Sequence, residues 1–338
     1  MQLISTAVKS LDAHSVNGQH STGPAALIQM TGWKIAFMQK YILIIVLLPL
    51  FIGGGCGSRE STPAQKPAPE QIIIGLVPEQ NIFDQIDRYQ DLVDYLALKC
   101  NVSIRLKVMP EYKDVLDALG TSAIDGAFLG SFTYVLAHER FGAEVLARPE
   151  NEEGSSVYHG LIFTRKDSNI RTIKDLKGKR IVFVDRLTTA GYLYPIEYLY
   201  RMGVKKYEAY FSEIYFAGTH QDAIYDVLNG RADVGAAKNT IFEKLATSDS
   251  RIRDELTIIA ISSDVPENAL VVRRDLGPEI SGNLKQSLIS MIQTKEGRDA
   301  LNKFKASKFI ETTDDDFRPV YSYARQINID LKRFDIKQ

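Results

Sequence analysis

Short apolar runs alternate with segments of helical spacing in the chain that follows residue 70. Ile72–Val77 is an unbroken apolar run that ends before Pro78, which predicts a buried strand. Apolar side chains then recur every three or four positions between Phe83 and Leu98, which predicts a helix. The same alternation predicts strands at 103–109, 124–129 and 143–147 and helices at 112–119 and 133–141. Strands that alternate with helices are typical of an α/β fold with a parallel sheet.

The alternation restarts after the polar segment 151–154. It predicts strands at 161–164, 180–184, 214–217 and 232–236, with helices at 191–202, 220–228 and 240–245. Two return strands, at 256–261 and 270–272, precede helices at 281–292, 295–304 and 316–328.

We therefore predict an α/β protein with two similar lobes. Residues 71–157 form the N-terminal part of lobe 1, residues 158–258 form lobe 2, and residues 259–338 return to lobe 1 and add the C-terminal helices. Two crossings between the lobes would make a hinge. A cleft between hinged lobes is a common place for a small ligand.

The N-terminal segment has a different pattern. The apolar run 41–52 follows Lys40 and is shorter than the ~20 residues that a membrane span needs, so it is typical of a signal peptide. We predict a presequence and signal peptide at 1–55, with translation starting near Met38, and a flexible polar tether at 56–70.

The segment Gly53-Gly54-Gly55-Cys56 resembles a bacterial lipoprotein processing site, although Gly53 departs from the usual aliphatic residue. The resemblance implies lipid attachment at Cys56 and a location in the cell envelope, anchored at the periplasmic or extracytoplasmic face. The alternatives are an uncleaved anchor and an unmodified Cys56. With Cys56 acylated, Cys100 is a lone thiol rather than half of a disulfide.

Composition and charge exclude some partners. The chain of 338 residues is 45% hydrophobic and 25% charged, with a formal net charge of −1. Residues 1–55 contain three Lys and one Asp, so the remainder carries 38 basic and 41 acidic residues, a net charge of −3. No basic run of the kind that binds nucleic acid is present, and any anion site must be local.

Four strand-to-helix junctions carry side chains suited to an oxyanion. Open α/β sheets bind ligands where strands end and helices begin, because helix starts offer free N–H groups and a favourable dipole. The candidate residues are Ser131 or Thr133 at the first junction, Thr188 and Thr189 at the second, His220 at the third, and Lys238 and Asn239 at the fourth.

Each candidate also has a structural interpretation. Hydroxyl residues at a helix start can simply cap it. His220 can cap or pack, and Lys238 can face solvent. A bound anion would favour the charged form of His220. Tyr112 and Tyr158 offer aromatic walls with hydroxyl donors, but tyrosines also pack in cores.

These residues resemble the substrate-binding proteins of phosphate, phosphite and phosphonate ABC importers over about residues 72–276. The segments that carry the resemblance are 130–137, 175–179, 185–191 with Pro195, 218–223, and Val265-Pro266 with Val272-Arg273. The resemblance implies a bilobed type II periplasmic-binding-protein fold, with two parallel or mixed-sheet lobes joined by a two-crossing hinge. It also implies a monomer that delivers a small oxyanion to an ABC permease and its ATPase.

The resemblance also assigns roles to residues. Thr188-Thr189-Ala190-Gly191 corresponds to the family's Ser-Thr-Ser-Gly loop that grips the anion, with Ala190 lacking a hydroxyl. His220, Tyr112 and Tyr158 correspond to further contacts. Phosphonate binders of this type carry an acidic residue for a substrate amine, but near that position this chain has Lys238 and Asn239. That departure argues against an aminoalkyl phosphonate.

The sequence predicts no catalytic site, no metal site and no cofactor. It contains no His-x-x-x-His or Cys-x-x-Cys spacing, no Gly-x-Gly-x-x-Gly loop and no Walker-type loop. Two alternatives to an importer component remain. The same module can act as a ligand-sensing lipoprotein that signals to a membrane receptor kinase, or as a phosphoester-processing enzyme.

Overall fold

A computed structural model describes residues 70–336 of the chain. The predicted signal peptide, Cys56 and almost all of the predicted tether lie outside these residues. The strands are β1 (Gln71–Leu76), β2 (Ser103–Val108), β3 (Gly126–Leu129), β4 (Glu144–Glu150), β5 (Val157–Tyr158), β6 (Gly160–Arg165), β7 (Arg180–Phe183), β8 (Glu213–Phe216), β9 (Val234–Lys238), β10 (Leu256–Ile261), β11 (Val265–Pro266), β12 (Ala269–Val272) and β13 (Lys308–Glu311).

Helices connect most of these strands. They are α1 (Ile82–Cys100), α2 (Tyr112–Gly120), α3 (Ser131–Phe141), α4 (Tyr194–Arg201), α5 (His220–Leu228), α6 (Asn239–Ser248), α7 (Arg251–Glu255), α8 (Pro278–Ser290), α9 (Lys295–Phe304) and α10 (Arg318–Gln326). A π-helical turn, Thr189–Leu193, leads directly into α4. No helix within residues 70–336 is long and apolar enough to cross a membrane.

The strands form two mixed sheets. The first has the order β13-β4-β12-β3-β1-β2 and the second has the order β10-β6-β9-β7-β8. In the first, β1 runs parallel to β2 and β3, and β12 runs antiparallel to β3 and β4. In the second, β7 runs parallel to β8 and β9, and β6 runs antiparallel to β9 and β10. The predicted α/β class is confirmed, and the parallel pairs are those that β1 makes in the first sheet and β7 makes in the second.

The chain passes between the sheets at 150–160 and again at 261–269. The two passages pair with each other, because Val265 and Pro266 of β11 lie antiparallel to Tyr158 and Val157 of β5. These two-residue strands were not predicted, since such short segments have no periodicity of their own. They join the sheets through a small ribbon.

The strand predicted at 256–261 is present with those bounds, but it does not return to the first sheet. Leu256–Ile261 pairs antiparallel with β6, so residues 259–261 still belong to the second sheet. The return to the first sheet starts after Ile261 and is made by β12. β10 and β12 have similar apolar patterns. The pattern does not show which strand each one pairs with, because pairing depends on contacts with residues that are distant in the sequence.

The helix ends follow local chemistry. The Asn81 side chain accepts hydrogen bonds from the N–H groups of Phe83 and Asp84 and so begins α1. Asn101 ends α1 in the left-handed conformation, with φ of 54°. The buried face of α1 includes Leu92 and Leu96, which are at most 1% exposed and belong to a core shared with α8, α9 and the first sheet.

Candidate ligand-binding site

A small cavity lies where the ends of strands from both sheets meet. It has a volume of about 10 Å³, which is room for about one water molecule. All the residues that line it except Gly130 have a polar group in the side chain: Glu79, Tyr112, Gly130, Thr133, Tyr158, Thr188, Thr189, His220, Lys238 and Asn268. Six of the eight residues predicted for the ligand site are therefore together: Tyr112, Tyr158, Thr188, Thr189, His220 and Lys238.

Three helix starts from the two sheets approach this cavity. α3 begins directly after β3, the π-helical turn begins at Thr189 after β7, and α5 begins at His220 after β8. Helix starts present N–H groups and the positive end of the helix dipole. The arrangement supplies hydrogen-bond donors for an anion from separate parts of the chain.

Thr189 connects the first turn of α3 to the second sheet. Its Oγ1 accepts a hydrogen bond of 2.9 Å from the N–H of Phe132. Beside it, the Thr133 hydroxyl donates to the carbonyl of Leu187 at 3.0 Å. The Thr188 hydroxyl donates to the carbonyl of Asp185 at 2.7 Å, within its own turn. These hydroxyls thus hold the segment 187–189 against α3 at the wall of the cavity.

The hydroxyl of Tyr112 is buried and has no hydrogen-bond partner among residues 70–336. The side chain is 2% exposed and lines the cavity. Burial, reinforced by the charges of Glu79 and Asp185, raises the pKa of Tyr112 well above its ordinary value, so the group stays a donor at neutral pH. A buried donor without an acceptor is costly, and a ligand oxygen in the cavity would satisfy it.

His220 is a neutral donor rather than the charged group that an anion would favour. Its Nδ1 accepts a hydrogen bond of 3.2 Å from the backbone N–H of Lys238. Since Nδ1 is the acceptor, the ring proton of the neutral form lies on Nε2. Burial, assisted by the charge of Lys238, lowers the pKa of His220 to about 3. The Nε2–H group can donate to an oxyanion without adding charge.

Lys238 does not face solvent. It is 3% exposed, and its ammonium contacts the carboxylate of Glu267, lies 3.1 Å from Asn268 Oδ1 and lies 3.5 Å from Glu79 Oε1. Burial alone lowers the pKa of Lys238, but the carboxylates of Glu267 and Glu79 outweigh it and hold the pKa above its ordinary value. The ammonium also lies 4.4 Å from the centroid of the Tyr158 ring, on its face.

Two predicted residues have other partners. Ser131 is fully buried, and its hydroxyl donates to the carbonyl of Pro266 in the ribbon between the sheets. The Asn239 side chain accepts from the N–H of His159 at 3.0 Å and donates to Glu243 at 3.4 Å. Neither lines the cavity, so both position the backbone around it.

Ala190 is also absent from the lining. It packs against the backbone of Gly160, where an added methyl group would lie 3.2 Å from its Cβ. Ala190 therefore belongs to the packed interior beside the cavity rather than to its lining.

Sequence reasoning missed Glu79, Glu267 and Asn268. Glu79 lies three residues after the end of β1, and the predicted site residues lie at the ends of other strands in the same way. Glu267 and Asn268 lie between β11 and β12, in a segment whose approach to Lys238 depends on the crossing between sheets. A search of every strand end would have found Glu79; no local signal identifies the other two.

Other concave regions lack these features. A groove of about 640 Å³ is lined by residues that include Glu139, Asp314, Arg318 and Arg325. Asp314 in its lining is already paired, since it accepts hydrogen bonds from the hydroxyls of Tyr321 and of the neighbouring Tyr134. Within residues 70–336, no group of three or more His, Cys, Asp or Glu side chains could hold a metal ion.

Comparisons with known proteins identify the family of this chain. Residues 74–317 match the family described as "ABC transporter, phosphonate, periplasmic substrate-binding protein". The chain is 30% identical over 242 residues to the phosphate-import protein PhnD of Mycolicibacterium smegmatis, which covers 68% of this chain and 74% of that protein. It is 25% identical over 258 residues to the phosphonates-binding periplasmic protein of Escherichia coli, covering 75% and 74%.

A solved structure has the same fold. It is that of PhnD1 from Prochlorococcus marinus in complex with methylphosphonate, with a TM-score of 0.68 and 21% identity. The match covers 77% of this chain and 99% of that one. Since the family match extends over most of the chain and includes the strands and helix starts around the cavity, this chain belongs to the periplasmic substrate-binding proteins of phosphonate ABC transporters.

Proposed function

We propose that this protein captures a small phosphorus oxyanion of the phosphonate, phosphite or phosphate type and presents it to an ABC importer without chemical turnover. The observation that carries the proposal is the buried Tyr112 hydroxyl, which has no partner in the described part of the chain and lies in a cavity that several helix starts approach. An oxyanion is the ligand that would use these donors together.

We assign binding of the phosphorus–oxygen part of the ligand, its head group, to Tyr112, Thr188, Thr189 and His220. Tyr112 and His220 donate as neutral groups. The Thr189 hydroxyl accepts from Phe132 N–H, so an anion that displaced it would gain that N–H from α3 and a hydroxyl from the π-helical turn. The ligand would thereby contact both sheets at once.

Cleft closure is the proposed signal to the permease. Direct bonds already join the two sheets at the wall of the cavity, from Phe132 to Thr189 and from Thr133 to Leu187. A cavity of about 10 Å³ is smaller than a phosphate group, so ligand entry requires these contacts to separate. Rebinding around the ligand would then align the surfaces of the two lobes.

The family is extracytoplasmic and works with an ABC permease and its ATPase. We further propose that this chain is a monomer tethered to the membrane by lipid on Cys56. Metabolic labelling with a fatty-acid analogue tests the tether, and Cys56→Ser should abolish the label. One relative named above is a phosphate-import protein and the matched family is that of an ABC transporter, which favours import over the sensing alternative.

A ligand screen of the full-length chain tests the main proposal. Phosphate, phosphite, methylphosphonate and 2-aminoethylphosphonate are compared with sulfate and a sulfonate by thermal shift and then by calorimetry. A ligand at 100 times its dissociation constant should raise the unfolding free energy by ~2.7 kcal/mol. A shift with a sugar or a cation, and with no phosphorus oxyanion, would refute the proposed ligand class while leaving the fold intact.

A further inference from the structure

The ammonium of Lys238 occupies the acidic part of the cavity. It contacts Glu267, Asn268 and Glu79, which together can accept all three of its N–H donors. Glu79 comes from the end of β1 in the first sheet, whereas Lys238 ends β9 in the second. The side chain therefore reaches from one sheet to the other and fills space between them.

Two carboxylates lie beside the ammonium of Lys238, and the nearby His220 is neutral. A second lysine, Lys244, interacts with Glu79 from outside the cavity lining. Glu79 is 7% exposed and Lys238 is 3% exposed, so both charges are largely removed from solvent. Without Lys238, two carboxylates, an amide oxygen and the face of the Tyr158 ring would surround an unoccupied volume. Those are the groups that bind an organic ammonium.

We propose that Lys238 is a specificity-determining residue whose own ammonium occupies a cation subsite formed by Glu79, Glu267, Asn268 and Tyr158. The inference rests on the proposed oxyanion function and narrows it. The ligand is a compact phosphorus oxyanion with no cationic tail, because a tail ammonium would have to displace a tethered one of the same charge.

The space left in the cavity agrees with this restriction. With Lys238 in place, the cavity has about 10 Å³. Separation of Thr189 from α3 can make room for the head group of the ligand. Lys238 remains beside that head group, because the backbone N–H of Lys238 is bonded to His220 in the same site. An extended tail meets the lysine stem, and a cationic tail also meets its charge.

The test uses ethylphosphonate and 2-aminoethylphosphonate, which have the same carbon chain and differ in the terminal ammonium. Phosphite serves as the tail-free probe. Calorimetry on the full-length wild type should show phosphite binding at least tenfold more tightly than 2-aminoethylphosphonate. Lys238→Ala should raise the affinity for 2-aminoethylphosphonate relative to ethylphosphonate by at least tenfold, because it opens the subsite and leaves its carboxylates unpaired.

Two control variants separate charge from volume. Lys238→Met keeps a long side chain without the ammonium, so it should block both alkyl phosphonates and give no relative gain for the amine. Lys244→Ala removes another lysine that bridges the two sheets, to Gln80, but does not line the cavity. It should leave the preference among the three probes unchanged.

The outcomes are distinguishable. Wild-type protein that binds 2-aminoethylphosphonate as tightly as phosphite would overturn the inference, even if no variant at Lys238 folds. A Lys238→Ala variant that folds and keeps the wild-type ratio of the two alkyl phosphonates would overturn it as well. Wild-type protein that binds none of the three probes and does not bind phosphate would refute the proposed function, and the inference would fail with it.

Discussion

Replacing Tyr112 with Phe separates ligand binding from stability. The substitution removes one hydroxyl oxygen from a side chain that is 2% exposed and that has no hydrogen-bond partner within residues 70–336. The ring remains, so the packing of α2 is kept. The hydroxyl is expected to have a partner only when an oxyanion is bound.

The two effects have opposite signs. A hydrogen bond to a charged group contributes about 1.5–3 kcal/mol, so its loss should weaken oxyanion binding by roughly ten- to a hundredfold. The ligand-free protein loses no hydrogen bond and no longer buries an unpaired donor. Its free energy of unfolding should therefore be unchanged or higher by up to about 1 kcal/mol.

Calorimetry measures the first effect and urea denaturation without ligand measures the second. Tyr194→Phe is the matched control. Tyr194 is 1% exposed, and its hydroxyl also has no partner in the described part of the chain, but it does not line the cavity. The control should resemble Tyr112→Phe in stability and the wild type in affinity.

Two results would contradict the reasoning. Unchanged affinity in Tyr112→Phe would show that its hydroxyl does not contact the ligand. A loss of 1 kcal/mol or more in ligand-free stability would show that the hydroxyl is paired in the free protein. An equal loss of affinity in Tyr194→Phe would point to a general disturbance of the fold.

Three further predictions concern the same region. Thr189→Ala should weaken oxyanion binding roughly ten- to a hundredfold in calorimetry, with Thr189→Ser close to wild type, because the hydroxyl rather than the methyl group makes the contact. The pKa of His220 is lowered from 6.5 to about 3 in the folded chain, so below pH 6.5 the unfolded chain takes up a proton that the folded chain does not. The free energy of unfolding should therefore fall by about 1.4 kcal/mol for each pH unit toward pH 3 from this group. His220→Gln should reduce that slope in urea titrations between pH 6 and 4. Gly191→Ala should destabilise the folded protein by about 1–3 kcal/mol in thermal unfolding, since the added Cβ would lie 2.5 Å from Val184. Gly282→Ala in α8 is the control: its Cβ would meet no atom of the described residues within 4 Å, so it should stabilise the protein by about 0.5–1 kcal/mol.

The fold was largely predictable from local patterns. Helix α9 was predicted with its observed bounds, Lys295–Phe304, and α5 likewise as His220–Leu228. Hydrophobic periodicity is set by residues that are close in sequence, and caps such as Asn81 act within one turn. The errors concern partners: β10 stays in the second sheet, and the ribbon of β5 and β11 needs both crossings before it can form.

The site was predictable in part for the same reason. Thr188, Thr189 and His220 lie at junctions that the pattern locates, and the structure brings them to one cavity. The roles of Ser131 and Asn239 depend on Pro266 and His159, which belong to distant segments. The protonation state of His220 depends on its burial, and that burial cannot be inferred from the neighbouring residues in the sequence.

By itself the sequence determined the order and type of the elements and the junctions where an anion could be held, because those properties arise from neighbouring residues. It also provided the basis for predicting export and a lipid anchor at Cys56. Only the tertiary structure decided the electrostatics of the site. Glu79, Lys238 and Glu267 come from three separate segments, and their charges interact because the two sheets enclose them away from water. That enclosure makes Lys238, a residue predicted to offer its charge to the ligand, a buried ammonium paired with carboxylates, and it is the basis for the ligand specificity proposed for this protein.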